Sequence, residues 1–277
     1  MLPKLIDING FFLPTYGVMV ALAFLAGLWA TNKLALRSGL PSQKIQDLVI
    51  YCAITGLAGA KLMMFVFDWE YYAKNPSEMF SLSTLRAAGV YQGGFILALV
   101  FAYFYMRRNG LPVLKTMDCF APGIALGHAL GRIGCYAAGC CYGMLCNRPW
   151  AVRFTNPDVK EFSNVPLGVP LHPTQIYETI GDLVIFAVLF KLHDPAKRPG
   201  GLFSLYLVLY SILRFGVEFF RHHDQAPLFD ALPLVHTQWI SIATLLLGMW
   251  LLLRKQPPPP NSRVISTPSI PKVSLNL

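Results

Sequence analysis

Long apolar runs separated by short polar connections dominate the chain. A helix needs roughly 20 mainly apolar residues to cross the hydrocarbon layer of a membrane, and seven stretches meet or nearly meet that length. They span residues 16–36, 45–67, 88–106, 117–137, 174–192, 201–220 and 235–253. The pattern therefore predicts an all-α, polytopic membrane protein with seven transmembrane helices.

The distribution of charge predicts how these helices are oriented. The net charge is +9, although only 13% of the residues are charged and 55% are hydrophobic. Lysine and arginine concentrate in the connections after the first, third, fifth and seventh stretches, whereas acids balance bases in the other connections. Because cytoplasmic loops are enriched in Lys and Arg, we expect the N-terminus outside and the C-terminus in the cytoplasm. This distribution leaves no basic face for nucleic acid.

One connection, residues 138–173, is long enough to form a small extracytoplasmic loop subdomain. Its Pro, Asn and Gly residues indicate turns around one short hairpin, with residues 150–155 as the expected strand. Residues 1–254 then form the membrane-embedded domain. The prolines at 257–260 end the last helix, and the polar composition after them predicts that residues 255–277 are a disordered cytoplasmic tail.

Six charged residues fall inside the predicted spans, where each is a candidate for a functional site or for a structural ion pair. They are Lys61, Arg132, Glu178, Asp182, Arg214 and Glu218. Arg132 lies about 8 Å and Arg214 about 10 Å below the outer helix ends, from the rise per residue of a helix. The same layer contains Tyr16, Lys61, Gln92 and Glu178. One polar chamber in the outer half of the membrane is the simplest interpretation.

The spacing within the sixth span indicates what this chamber binds. Arg214, Glu218 and Arg221 recur at i, i+4 and i+7, so they share one helix face and the acid can hold both guanidinium groups. Arg132 and Arg214 at one depth suit a phosphate or phosphodiester, because a planar guanidinium donates two parallel hydrogen bonds and stays charged. A lipid headgroup is the anion most available at that depth.

Three motifs that carry these residues identify a family resemblance. They are GRIGCY at 131–136, LHPTQIYE at 171–178 and RFGVEFFR at 214–221, the last followed by Asp224. Further matches occur in order at Tyr16-Gly17, Gly59-Ala60-Lys61, Gly93-Gly94, Asp118 with Pro122, and Thr237-Gln238. The ordered set covers the chain from Tyr16 to Leu253 and resembles the prolipoprotein diacylglyceryl transferase family.

This resemblance implies an enzyme of the bacterial cytoplasmic (inner) membrane. It would move the diacylglyceryl group of phosphatidylglycerol onto the thiol of a lipobox cysteine in a prolipoprotein, and release glycerol phosphate. The implied partners are phosphatidylglycerol, prolipoprotein signal peptides and the lipid bilayer. No metal and no organic cofactor is implied.

The resemblance also assigns roles to residues of this chain. The expected catalytic residues are Arg132, Arg214, Gln92 and Glu218. The expected substrate-binding residues are Arg132, Tyr16, Lys61, Glu178, Gly93, Gly94, Gly134 and Gly143. Arg132 and Arg214 would neutralise the departing phosphate, Glu218 would orient Arg214, and the glycines would let the backbone approach the lipid closely.

The chain departs from the family pattern where a base is expected. The family has a histidine before the paired glycines of the third span, whereas this chain has Gln92, which can form hydrogen bonds but cannot take a proton at neutral pH. His128, one turn below Arg132, and His172 are alternative bases, although the favoured interpretation of His128 is a core histidine with its hydrogen bonds satisfied. A third alternative is that the arginines alone lower the pKa of the acceptor thiol.

The family has asparagines and a glutamate where this chain has Cys135, Ala138 and Cys140, and four cysteines cluster after Arg132. They are Cys135, Cys140, Cys141 and Cys146. An oxidising compartment favours a disulfide from Cys146 to Cys140 or Cys141, with plain packing of small residues as the alternative. A reactive thiol is a further possibility, and a metal site is less favoured because the spacing matches no standard zinc pattern.

Two other functions remain open from the sequence. A transporter with a charged midplane site would predict broken helices and inverted repeats, and neither is evident. A relative of the same fold with another acceptor thiol, or one that only binds phosphatidylglycerol, is favoured by the departures at Gln92 and Cys140.

Overall fold

The structure is a computed structural model that describes residues 2–8, 11–81, 84, 87, 89–195, 198–222 and 234–254. Helices occupy all seven predicted stretches. They are α1 (Thr15–Arg37), α2 (Ser42–Phe67), α3 (Tyr91–Arg108), α4 (Val113–Ala138), α5 (Thr174–Leu192), α6 (Gly201–Glu218) and α7 (His236–Leu253). The tail predicted to be disordered, 255–277, lies outside the described residues.

Four of the helices, α1, α2, α6 and α7, are long and apolar enough to cross a membrane. Helices α3, α4 and α5 are less apolar because they carry polar and charged residues in their interiors or last turns. Among these are Gln92, Arg107, Arg108, His128, Arg132, Glu178 and Asp182. Polar and charged residues, several of them in the candidate site, therefore distinguish α3, α4 and α5 from the four apolar helices.

The described residues are mostly helical, as expected, and two short strand pairs and some short helices complete them. Strands β1 (Lys4–Ile8) and β2 (Phe11–Pro14) pair antiparallel, as do β3 (Val152–Arg153) and β4 (Pro170–Leu171). The strand expected at 150–155 is thus two residues long, and its partner lies far along the loop. One short α-helix (Trp69–Lys74) and two 3₁₀ helices (Pro76–Phe80, Pro157–Glu161) lie in the connections.

The helices pack in pairs around α4. Helix α1 lies along α4, α4 contacts α5 and α6, and the pairs α2–α3 and α6–α7 flank this centre. Buried apolar residues fill the contacts, such as Leu34, Ile45 and Leu48 in one cluster and Ala125 and Leu189 in another. Many large apolar side chains instead face outward, and such a surface suits lipid.

The long loop, residues 138–173, has its own small core of Phe154, Val159, Val165 and Leu171. It is fastened to the end of α6 by backbone hydrogen bonds. The amide of Met144 donates to the carbonyl of Phe220 at 2.9 Å, and Gly143 forms an antiparallel β-bridge with Arg221. The loop is therefore ordered against the same bundle end that carries the arginines.

Helices α2 and α3 approach each other closely through glycines. A Cβ on Gly93 would lie 2.5 Å from the carbonyl oxygen of Gly59, and one on Gly94 would lie 2.6 Å from that of Gly56. Small residues at such a contact let two helix backbones pack together within a membrane. The close packing of the two helices thus leaves no room for a side chain at these positions.

We expect Gly93→Ala to lower the free energy of unfolding by about 1–3 kcal/mol, because the added methyl overpacks the α2–α3 contact. Thermal unfolding in detergent, followed by tryptophan fluorescence, measures the change. Gly201→Ala, at the first turn of α6, is the control because a Cβ there meets nothing within 4 Å. Equal melting temperatures for the two variants would contradict the packing role.

Candidate active site

The centre of the site is the carboxylate of Glu178, on the second turn of α5. Its side chain is buried, with 2% of the residue exposed. Arg132 of α4 pairs with one carboxylate oxygen and Arg214 of α6 with the other. Arg221, just beyond α6, lies 3.8 Å from the oxygen that Arg214 contacts. One acid therefore gathers guanidinium groups from three segments of the chain.

A second acid completes this group. The carboxylate of Glu218 lies 3.0 Å from Arg214 and 3.9 Å from Arg221, at the helical spacing of i+4 and i+3. Three arginines and two glutamates carry one formal positive charge in excess. The side chains of Arg132 and Arg214 are 12% exposed and that of Arg221 is 17% exposed. The group can thus accept one further anion at its edge.

A second contact between a basic side chain and a carboxylate lies one turn deeper. His128 Nδ1 lies 2.6 Å from the fully buried carboxylate of Asp182, and its ring packs edge-on against Tyr210. Tyr210 is in turn within electrostatic range of Arg214, Glu178 and Arg132. The Asp182 carboxylate therefore holds the ring of His128 in place. Tyr210 was not singled out from the sequence.

Three thiols lie beside the arginines. The Sγ atoms of Cys135, Cys140 and Cys141 all lie within 4.8 Å of one another. Hydrogen bonds from Cys135 and Cys140, with the nearby Arg221 and Arg132, lower the pKa of the Cys141 thiol. Tyr16 is within electrostatic range of all three thiols and of Arg132.

The disulfide expected from Cys146 is absent. All six cysteines are free, and the sulfur of the buried Cys146 does not belong to the three-thiol group. The backbone explains this separation, because Cys146 donates its amide to Pro170 at 3.0 Å within the loop. The sequence placed four cysteines together, but the loop carries the fourth away.

The turn that bears two of these thiols is held firmly. Gly139 ends α4 with a positive φ of 73°, and Cys141 has a φ of 60°. The Thr174 hydroxyl donates to the carbonyl of Cys141 and the Gln175 amide donates to that of Cys140, each at 2.7 Å. Both donors are buried at the start of α5. The segment before Glu178 therefore positions the thiol turn as well.

Four of the predicted site residues lie on α2 and α3, away from the arginine group. Gln92 is exposed at the start of α3. Lys61 donates to the backbone carbonyls of Thr84 and Ala87 in the following connection. Gly93 and Gly94 pack against α2, as described above. No contact among the described residues joins these side chains to Arg132 or Glu178.

The other two predicted glycines line contacts within the protein. A Cβ on Gly134 would lie 3.2 Å from the ring of Tyr16 and 3.0 Å from Met19, so α1 packs directly on α4 there. A Cβ on Gly143 would lie 2.6 Å from the carbonyls of His172 and Phe220. Packing thus requires glycine at position 143 and leaves little room for a side chain at position 134.

His172 takes part in a hydrogen-bonded aromatic group. Its Nδ1 lies 3.1 Å from the Tyr177 hydroxyl, which also accepts a hydrogen bond of 2.8 Å from the indole of Trp150. The ring of His172 packs against Phe220. This group joins the long loop to α5 and to the end of α6. Neither Trp150 nor Tyr177 was singled out as a site residue.

Comparison with known proteins agrees with the sequence motifs. The family model described as prolipoprotein diacylglyceryl transferase matches residues 3–254. A phosphatidylglycerol–prolipoprotein diacylglyceryl transferase of Clostridium tetani is 33% identical over 250 residues, which cover 90% of this chain and 96% of that protein. Proteins of the same name from Finegoldia magna (32% identity; 86% of this chain, 90% of that protein) and Trichormus variabilis (30%; 96% and 94%) are also similar. The chain therefore belongs to the prolipoprotein diacylglyceryl transferase family, and the resemblance that its motifs indicate is confirmed.

Proposed function

We propose that this chain transfers the diacylglyceryl group of phosphatidylglycerol to the lipobox cysteine of a prolipoprotein and releases glycerol phosphate. The observation that carries the proposal is the contact of Arg132 and Arg214 with the single carboxylate of Glu178. These arginines come from α4 and α6, so the fold brings two separate helices to one point. Family membership and this geometry support the same reaction.

The arginine group suits a phosphodiester. A guanidinium has five N–H donors, and the contacts with Glu178 and Glu218 use only part of them. The remaining donors of Arg132, Arg214 and Arg221 can bind the phosphate oxygens of a lipid headgroup bidentately. The excess positive charge of the group matches the single negative charge of a phosphodiester. As the bond to the diacylglyceryl carbon breaks, these donors stabilise the charge on the leaving phosphate.

The buried acids have a positioning role in this scheme. Glu178 holds the guanidinium groups of Arg132 and Arg214 at one place, so the site needs little reorganisation when a phosphate binds. Glu218 restrains Arg214 and Arg221 from the same helix. Tyr16 is within electrostatic range of Arg132 and of the three thiols and is a candidate for contact with the acceptor.

The proposed topology places this group near the outer leaflet. In it all seven long helices cross the membrane, with the N-terminus outside and the C-terminus in the cytoplasm. Lysine and arginine concentrate at the opposite helix ends, which supports this orientation. The long loop would then cover the site from outside, where prolipoproteins emerge from the membrane.

Complementation tests the proposal. We expect the gene for this chain to restore growth and lipoprotein modification in a bacterial strain depleted of its own diacylglyceryl transferase. Modification is followed by the mobility and mass of a reporter lipoprotein, and a reporter with Ser in place of the lipobox Cys is the control. A chain that is expressed in the membrane but restores no modification would refute the proposed reaction and favour a relative that only binds the lipid, or that uses another acceptor.

A further inference from the structure

We propose that Cys135, Cys140 and Cys141 bind a zinc ion whose fourth coordination position takes the acceptor cysteine as a thiolate. The metal site itself follows from the thiol geometry, whereas the identity of its fourth ligand rests on the proposed function. The chemical class of the ligand is a thiophilic d¹⁰ cation, for which three sulfur donors are a suitable set.

The distances between the thiols fit such an ion. Their Sγ atoms lie within 4.8 Å of one another. A tetrahedral zinc with Zn–S bonds of about 2.3 Å places its sulfur ligands about 3.8 Å apart. Closing the difference of up to about 1 Å needs only small side-chain rotations. The group is therefore close to the geometry that it would have around a metal.

The backbone holds this arrangement in place. Cys135 lies on the last turn of α4, and the amide of Cys140 donates back to its carbonyl at 3.1 Å. The carbonyls of Cys140 and Cys141 accept hydrogen bonds from the buried side chains of Gln175 and Thr174, respectively. Cys141 is the one non-glycine residue with a positive φ in the part of the chain that the structure describes. Backbone strain of this kind, about 1–3 kcal/mol, persists mainly at functional sites.

The donor set has three members within the described ranges, which is the pattern of a catalytic zinc site. Structural zinc sites have four protein ligands, whereas catalytic sites have three and leave one position for water or substrate. Cys146, the nearest candidate in the sequence for a fourth thiol, does not join the group. An external thiol can therefore complete the tetrahedron.

Nearby arginines offset part of the negative charge that such a site would carry. Zinc with three thiolates carries one formal negative charge, and a fourth thiolate raises this to two. Arg132 and Arg221 lie within electrostatic range of Cys141 and offset part of this charge. These arginines are also the ones expected to hold the lipid phosphate, so the nucleophilic sulfur and the leaving group would be neighbours.

The site would generate the thiolate of the acceptor without a protein base. Gln92, at the position where the family has a histidine, cannot take a proton. A thiol that coordinates zinc is deprotonated outright, and its proton is released to solvent. The sulfur then forms a bond to the glyceryl carbon while the bond from that carbon to the phosphate oxygen breaks. The electron pair of the broken bond stays on the oxygen of the departing glycerol phosphate, so no oxidant or reductant is needed.

Metal analysis tests the site without depending on activity. We expect the protein purified without chelators to contain about one zinc per chain, as a three-thiolate site requires. Cys140→Ser and Cys141→Ser should each reduce this content at least about 10-fold. Cys52→Ser, which changes a cysteine on α2 outside the group, should leave it unchanged. Equal zinc content in all variants, or none in the parent protein, would overturn the proposal.

Cobalt substitution tests the fourth ligand. We expect Co²⁺ to give thiolate-to-metal charge-transfer absorption and the visible bands of tetrahedral coordination. A lipobox peptide should shift the visible bands, and the same peptide with Ser in place of Cys should not. A cobalt spectrum that ignores the Cys peptide would overturn the acceptor role. A peptide-dependent shift without transfer of lipid would support the metal site while refuting the proposed function.

Discussion

Arg132→Ala and Arg214→Ala are each expected to reduce diacylglyceryl transfer at least about 100-fold. Each change removes preorganised donors from the phosphate whose charge develops as the bond breaks, and losing one such donor typically lowers the rate constant by a factor of about 10²–10³. Initial rates with labelled phosphatidylglycerol and a lipobox peptide measure the loss. The reduction should fall mainly on kcat, because the contact strengthens as the leaving group departs.

A matched control and a conservative variant sharpen this experiment. Arg148→Ala changes an exposed arginine of the long loop and should leave the rate within about 2-fold, because exposed charges act weakly. Arg132→Lys keeps the charge but loses the planar pair of donors, so its rate should fall between those of the parent and Arg132→Ala. Full activity in both alanine variants would exclude these arginines from the chemistry.

Glu178→Gln is expected to impair both folding and activity. The glutamate is buried and in contact with Arg132, Arg214 and Arg221, so its loss leaves three cations with Glu218 alone. Removing one partner of a buried ion pair typically lowers stability by about 3–5 kcal/mol. Reversible unfolding in mixed micelles measures the stability, and the transfer assay measures the loss of the preorganised arginines.

Two comparisons separate this effect from a general loss of charge. Glu70→Gln changes an exposed glutamate on the short helix Trp69–Lys74 and should alter stability by less than about 0.5 kcal/mol. A double-mutant cycle of Glu178→Gln with Arg132→Ala should give a coupling energy above about 1 kcal/mol, because the two side chains are in contact. Additive effects in that cycle would show that the pair does not act as a unit.

The helices could be predicted well because long, mainly apolar runs are a strong helix signal in the sequence. All seven stretches are helical, and the fifth span, 174–192, coincides with α5. The β1–β2 pair was missed, although Asn9-Gly10 between two apolar runs is a hairpin signal in the sequence. The prediction searched for apolar runs of about twenty residues. Strands of four or five residues are too short to be found in that way.

The depth of the site residues along their helices could be predicted from the sequence, but the direction in which their side chains point could not. Position along a helix follows from the sequence, so Arg132, Arg214 and Glu178 could be placed in one layer. Which way a side chain points depends on the rotation of each helix against its neighbours, which the sequence does not specify. Lys61 and Gln92 share that layer, yet α2 and α3 carry them away from the arginines. The convergence of three arginines on Glu178 could not be foreseen for the same reason.

The thiols illustrate a second limit. Their spacing resembles no standard metal motif because two adjacent residues, Cys140 and Cys141, contribute together. That arrangement depends on the left-handed conformation of Cys141 and on the anchoring of its carbonyl by Thr174. Neither feature can be inferred from the residue types alone.

The central claim is that this arginine group supports transfer from a lipid to a thiol. Mass spectrometry of a lipobox peptide, incubated with the purified protein and phosphatidylglycerol, tests it most directly when released glycerol phosphate is measured in the same sample. We predict a peptide that carries one diacylglyceryl group in thioether linkage, and one glycerol phosphate released for each modified peptide. An unmodified peptide in the presence of folded, lipid-bound protein would contradict the account.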